Sequence, residues 1–371
     1  MTGALRRAAV AAVLVVVSSA VALGGVELLL RARPQLLGRA FANGVLSKYT
    51  DGAGGIFYKD RLAQTRFMIP NYTTQMYANG YVWTHQTDAL GFRNRTLSIP
   101  ADIVLVGDSY IYGHGLDFGS TVGAILEGLT RMSVANLARQ GDCPLQQAYL
   151  VTEFLPVFRP RYVFYFFFEN DIADLYVFLD DAALQAFVDR PLADIHYAHR
   201  LDPAQALRER EERLGQRPLL TRVKQSSYVY RAGRWLRWQL GLREAAAAPR
   251  RSIPEATDER SLAWRYTEKA ILYMRAVAQR HGARFVIVPI TPLTPRYREI
   301  LRRIATQAGI DFIDTLALTG VDPSLWLPED GHLSPAGARR FAELAAAYVA
   351  AHPPVARAAA GGGSAPGVSG R

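Results

Sequence analysis

Seven consecutive apolar residues, Tyr162-Val-Phe-Tyr-Phe-Phe-Phe168, constrain what this chain can fold into more than any other stretch. A strand with one wet face alternates apolar and polar side chains. A run without alternation reads as a strand buried on both faces, the kind found in parallel sheets. Ile103-Val104-Leu105-Val106, mostly β-branched, makes the same demand, and so does Phe285-Val-Ile-Val-Pro-Ile290. Shorter strands are expected at Ser133–Asn136 and Asp311–Asp314. Between these runs, helical stretches are expected at about 120–131, from 144 to about 158, at 261–281 and at 296–308. A last helix runs from Pro335 to about 350. Pro335 suits its first turn, with Ser334 as the cap. Repeated βα units of this length mean a doubly wound α/β domain. Five strands in the order 2-1-3-4-5 are expected, with the 162–168 run in mid-sheet.

The rest of the chain divides around that domain. Residues 8–26 are 19 residues without a charge, enough for roughly 28 Å of helix and so for a bilayer core. Ala20-Val21-Ala22 would serve as a signal-peptidase site, but the apolar run is long for a cleaved signal and continues through Leu28-Leu29-Leu30. Residues 1–33 therefore read as an uncleaved, single-pass anchor. Arginines on both flanks leave orientation from charge ambiguous; a short amino terminus before a large domain favours export of that domain. Residues 34–100 read as a lead-in region packed on the main domain, with short strands near Tyr72–Tyr77 and Tyr81–Thr84 and a turn at Asp88–Arg93. The main domain spans 101–352, interrupted by a helical insertion at about 172–260, and 353–371 reads as a flexible tail. Within the insertion, residues 217–251 carry nine Lys/Arg against Glu244 alone. Tyr228, Tyr230, Trp235 and Trp238 are interleaved with them. This is a basic, aromatic helical stretch, read either as a solvated face over a satellite core or as a contact for an anionic membrane surface or acidic glycan.

The formal charge of +10 does not point to nucleic acid. Lys48, Lys59, Lys224 and Lys269 are the only lysines, so the basicity is arginine and accompanies a high alanine content. No zinc-type Cys/His spacing or aromatic-plus-basic RNA motif is present. Cys143 is the only cysteine, which excludes an intrachain disulfide and a multi-cysteine metal site. No cofactor or metal is expected.

The chemistry gathers at loops following the strands, where open α/β sheets place their ligands. Gly107-Asp108-Ser109 follows the first strand, and Ser109 is a candidate nucleophile. Gly141 follows the second, where a glycine can aim a backbone N–H inward and a side chain would obstruct. Asn170-Asp171 follows the third, and the Asn170 amide could donate to a developing oxyanion. Pro328-Glu329-Asp330-Gly331-His332 precedes the last helix. His332 could act as general base and Asp330 could fix its tautomer. Each has a structural explanation alone; their order on carboxyl-end loops of alternate βα units is what points to a site.

On these residues the chain resembles the SGNH hydrolase superfamily, the GDSL-type esterases and lipases, over about 80–350 apart from the insertion. The resemblance implies a flavodoxin-like three-layer α/β/α sandwich and a metal-free Ser-His-Asp site of Ser109, His332 and Asp330. It implies an oxyanion hole of Ser109, Gly141 and Asn170, and a bacterial membrane-anchored type. Two positions depart from the family pattern: Phe168 stands where the third block has glycine, and the usual acid, three before the histidine, is here Glu329, leaving Glu329 as the alternative to Asp330. The α/β-hydrolase alternative lacks its G-x-S-x-G pentapeptide. The expected function is a serine esterase or deacylase acting on ester-linked, O-acetyl-type groups of a cell-envelope polysaccharide or lipid. An O-acyltransferase with a sugar hydroxyl as acceptor, and a non-catalytic envelope binding protein, are the alternatives. The expected location is the cytoplasmic membrane with the catalytic domain on its outer face.

Overall fold

The computed structural model describes residues 3–60, 65–197, 202–240, 258–290, 295–319 and 322–354. The uncharged amino-terminal run lies within one helix, α1 (Gly3–Ala32), long and apolar enough to cross a membrane. After it come α2 (Arg39–Leu46) and two antiparallel hairpins. Strand β1 (Phe57–Asp60) pairs with β2 (Thr65–Met68), and β3 (Thr73–Ala78) with β4 (Tyr81–Gln86). The second hairpin lies where strands were expected. Its two-residue turn, Asn79-Gly80, has φ of 51° and 96°, positive at both positions as the commonest tight hairpin turn requires.

The sheet begins at β5 (Ile103–Val106), followed by α3 (Ser109–Tyr112), α4 (Val122–Thr130), β6 (Val134–Asn136) and α5 (Pro144–Phe158). Strand β7 (Tyr162–Phe167) leads into the insertion helices α6 (Asn170–Phe178), α7 (Asp181–Asp189), α8 (Pro203–Gly215), α9 (Leu219–Ser226) and α10 (Tyr228–Gln239). The chain then returns through α11 (Leu262–Arg280), β8 (Arg284–Pro289), α12 (Pro295–Ala308), β9 (Asp311–Phe312), α13 (Thr315–Thr319) and α14 (Pro335–Ala351). Five strands form one parallel sheet in the order β6-β5-β7-β8-β9, which is 2-1-3-4-5 counted within the sheet.

Strand β7 shows why an unbroken apolar run is needed here. Tyr162 and Phe164 meet Tyr348 of α14, and Phe166 meets Phe341 of the same helix. The residues between point the other way: Phe167 stacks on Trp264 of α11. All six β7 residues are buried, each apolar side chain contributing about 1.5–3 kcal/mol by leaving water. Helices α4 and α14 pack together over one face, α5 and α11 over the other, so the architecture is the expected three-layer sandwich. Strand β9 stops two residues short of expectation. It is an edge strand, and the Asp314 carboxylate turns to Arg298 of α12, accepting from Nε at 2.7 Å. Ser334 caps α14, its Oγ accepting from the Gly337 N–H at 3.1 Å.

Within the interruption, α7 packs on α11, α8 on β1, and α10 on α1 and α2. Residues 241–257, with Glu244, and the tail beyond residue 354 lie outside the described residues.

Candidate active site

Strand β5 ends at Val106, and the chain turns through Gly107-Asp108 so that Ser109 opens α3. The turn is stabilised by Asp108, which caps the helix by accepting from the Tyr110 N–H at 3.0 Å. Burial first, then the neighbouring acids Asp174 and Asp142, raise the Asp108 carboxyl above the usual range. Such a group suits a structural cap better than a charged ligand site. The segment after Ser109 is pinned by a buried arginine: Arg93 donates to the carbonyls of Tyr112 (3.1 Å), Gly113 (2.6 Å) and Leu116.

On the opposite side, residues 325–334 fold back on themselves. Trp326 bridges to Leu333, the Leu327 N–H donates to His332 O at 2.7 Å, and the Gly331 N–H donates to Leu327 O at 3.0 Å. Gly331 has φ of 86°, the left-handed region that lets an acid two residues before His332 bend back onto its ring. The result is a continuous relay. His332 Nε2 lies 2.8 Å from Ser109 Oγ, and His332 Nδ1 lies 2.6 Å from Asp330 Oδ1. The Asp330 side chain is fully buried, whereas Glu329 is 65% exposed and pairs with Arg39 of α2. Asp330, not Glu329, touches the imidazole.

Sequence reasoning missed the groups that hold Asp330. Asn79, in the β3–β4 turn, donates from Nδ2 to Asp330 Oδ2 at 2.8 Å. It is itself held by Asn43 of α2, whose Oδ1 accepts from the Asn79 N–H at 2.8 Å. His114 Nε2 lies 3.3 Å from Asp330 Oδ2, and its ring stacks on His332 at 3.9 Å between centroids and 15° between planes. Tyr49 O–H and Gln140 Nε2 lie 3.1 and 3.0 Å from His114 Nδ1, which assigns that nitrogen as the acceptor and Nε2 as the N–H facing Asp330. The lead-in region thus supplies part of the site. Asn-Gly at 79–80 was a readable hairpin signal; nothing local marks His114.

Burial alone would raise the Asp330 carboxyl. The nearby His114 ring and the hydrogen bond with His332 outweigh it and hold the group well below the usual carboxylate range. For His332, burial disfavours the imidazolium, the Asp330 carboxylate favours it, and His114 disfavours it again; the balance lies below the ordinary histidine value. Tyr110 closes the other face of His332, its ring 4.7 Å away, and Phe168 lies beyond Tyr110 at 4.2 Å, its ring tilted by 38°. Phe168, which stands where the resembled family has glycine, therefore extends an aromatic wall beyond Tyr110.

The two remaining residues differ from expectation in detail. Gly141 has φ of 72°, and a Cβ there would meet no heavy atom within 4 Å. Backbone conformation, not obstruction, is the reason for glycine. Asn170 lies in the first turn of α6, not in a loop, and its amide donates to Asp174 Oδ2 at 3.0 Å.

His114, Asp330 and His332 also form a set whose ligand atoms lie within 4.8 Å of one another. Two ligands on a tetrahedral metal with bonds near 2.05 Å stand about 3.3 Å apart. The 2.6 Å between His332 Nδ1 and Asp330 Oδ1 is a hydrogen-bond separation instead. His332 also offers its other nitrogen to Ser109. The arrangement fits proton transfer better than a shared ion.

Comparison with protein-family models finds none that matches, and comparison with curated proteins finds no match. Solved structures similar to the chain include a family 3 carbohydrate esterase of Clostridium thermocellum, with 15% identity over 68% of this chain and 96% of that one (TM-score 0.38). Another is described as a lipolytic protein of the G-D-S-L family from Desulfitobacterium hafniense DCB-2, with 14% identity over 67% and 98% (TM-score 0.36). A third is the salicylyl-acyltransferase SsfX3 of a tetracycline biosynthetic pathway, with 11% identity over 74% and 58% (TM-score 0.35).

Proposed function

We propose that this chain is an SGNH-type serine esterase or deacylase, anchored by α1, with Ser109 as nucleophile, His332 as general base and Asp330 as the orienting acid. The observation that carries the reading is the relay from Ser109 Oγ through His332 to Asp330, at 2.8 and 2.6 Å, at the carboxyl end of β5. Ser109 Oγ attacks the ester carbonyl carbon while its proton passes to His332 Nε2. The oxyanion is held by the backbone N–H groups of Ser109 and Gly141 and by the Asn170 amide, which exchanges its Asp174 bond for the developing charge. Collapse expels the alcohol, which takes the proton from His332. Water then attacks the acyl-enzyme with His332 again as base, releasing the acid. Ser109 is only 7% exposed beside Tyr110 and Phe168, which supports a small acyl group such as acetyl, carried on a cell-envelope polysaccharide or lipid. The same enclosure favours a second reading, transfer to a sugar hydroxyl, because it restricts water at the acyl-enzyme. On this reading the catalytic domain faces outward from the cytoplasmic membrane, supported by the short stretch before α1 and the large domain after it.

Labelling by a fluorophosphonate tests this. The probe should attach to Ser109, and only with neutral His332. Because burial depresses the His332 pKa below the ordinary histidine value, the labelling rate should hold through neutral pH and fall as pH drops, with its midpoint more acidic than that of a free imidazole. Absence of labelling across that range would sink the reading. Asn170→Ala should lower kcat about 100-fold with a smaller change in KM, since the donor acts mainly in the transition state. A raised KM at constant kcat would make Asn170 a substrate-binding residue.

A further inference from the structure

The basic helices of the insertion meet the apolar helix at one defined level. The charge-free run of α1 ends at Val26, and the next residue, Glu27, caps α10. Its carboxylate accepts from the N–H groups of Tyr228 (3.0 Å) and Val229 (2.8 Å) and from Ser227 Oγ (3.0 Å). Arg31 donates to Ser226 O at 2.7 Å and lies 5.0 Å over the Tyr228 ring. Leu30, Phe41 and Ala232 are buried together, with Trp235 packed against them. The corner between α9 and α10 is therefore fixed where the apolar run gives way to charge.

Helix α9 contains no buried residue. Leu219, Leu220 and Val223 are 75%, 63% and 52% exposed, and their i, i+1, i+4 spacing puts them on one face. Leu236 and Leu240, at the end of α10 and just beyond it, are also exposed. From Gln216 to Leu240 there are six Lys/Arg and no Asp or Glu, and Lys224, Arg234 and Arg237 are exposed.

We propose that α9 and α10 form a platform that lies in the headgroup layer of an anionic phospholipid bilayer, beside the point where α1 enters the hydrocarbon. The proposal rests on α1 spanning that bilayer. An exposed aliphatic face beside exposed cations, in a segment with no acid of its own, is the composition of an interfacial helix. Continuity with α1 favours a bilayer over a second protein, because a partner would have to share this level with the lipid. The platform also bears on the site. Helix α2 packs on α10 and supplies Asn43, which holds Asn79, which holds Asp330. The triad acid is thus braced from the membrane-proximal helices, which suits an ester presented at the membrane surface.

The full chain in lipid nanodiscs provides the test, with single cysteines introduced at Leu220, at Val16 in α1 and at the exposed Ala182 of α7, each carrying an environment-sensitive fluorophore. Native Cys143 is buried. Nitroxides at mid-chain depth should quench the Val16 label, and nitroxides at headgroup depth the Leu220 label, while the Ala182 label stays unquenched. Leu220 quenching should be stronger in discs containing phosphatidylglycerol than in pure phosphatidylcholine. Replacing Lys224, Arg234 and Arg237 by glutamine should remove that difference, corresponding to about 100-fold in partition onto the anionic surface. Quenching at Val16 with none at Leu220 would overturn the platform and leave the anchor standing. No quenching at Val16 would overturn the anchor itself. Leu220 quenching independent of lipid charge would overturn the anionic assignment. None of these readouts depends on esterase activity.

Discussion

Ser109→Ala should abolish p-nitrophenyl acetate hydrolysis while leaving the fold intact. The expected loss is on the order of 10⁶ in kcat, the scale reached when a serine hydrolase loses a nucleophile that works as a unit with its base. Little stability should go with it. The Ser109 hydroxyl makes its hydrogen bond to His332, worth about 1 kcal/mol net, and the α3 cap comes from Asp108. No cavity of consequence opens, because one oxygen is removed. Hydrolysis by the purified variant, measured beside its thermal melt, decides the matter. Wild-type turnover in a folded Ser109→Ala protein would remove the proposed nucleophile, and with it the esterase reading. Loss of activity together with unfolding would instead show that the buried Ser109 hydroxyl is needed for packing as well as for chemistry.

What could be read in advance follows from how local each signal is. The strand β7 was legible because a strand buried on both faces must be apolar at every position, whatever its neighbours are. Ser109, Asp330 and His332 could be nominated together because the acid and the histidine share one short loop and the serine follows a strand. The structure brings these three into contact. The first hairpin, β1–β2, was not legible: Phe57-Tyr-Lys-Asp and Thr65-Arg-Phe-Met alternate too weakly to mark strands. Asn43, Asn79 and His114 were illegible for a different reason. Each is an ordinary polar residue in its own segment: Asn79 and His114 matter only because they converge on the Asp330 carboxylate, and Asn43 only because it holds Asn79. The basic stretch at 217–240 was visible as charge, but its relation to α1 depends on Glu27, a residue two hundred positions away.

That convergence makes Asp330 the position where a single nitrogen-for-oxygen exchange should do most damage after Ser109. The carboxylate accepts on both edges. Oδ1 takes the His332 Nδ1 proton at 2.6 Å and lies 3.2 Å from the His332 N–H; Oδ2 takes Asn79 Nδ2 at 2.8 Å and faces His114 Nε2 at 3.3 Å. An amide cannot do this in either orientation. With its NH2 toward His332, Asp330→Asn drives the proton to Nε2, and the ring can no longer accept from Ser109; losing the correct tautomer in a serine hydrolase costs about 10⁴ in kcat. With its oxygen toward His332, the NH2 meets the donors of Asn79 and His114, and a buried donor clash costs about 1–3 kcal/mol of stability. Either way Asp330→Asn should be crippled, with a lowered melting temperature if the second orientation wins. Glu329→Gln should stay within a few-fold of wild type, because its partner Arg39 is as exposed as itself and a surface pair contributes at most about 1 kcal/mol. Measuring kcat and thermal stability for both variants separates the two acids. A crippled Glu329→Gln beside an active Asp330→Asn would mean that the working enzyme rearranges this loop to the three-residue spacing. Mild, equal losses would mean that His332 acts without a dedicated acid, with His114 and Asn79 merely filling space around it.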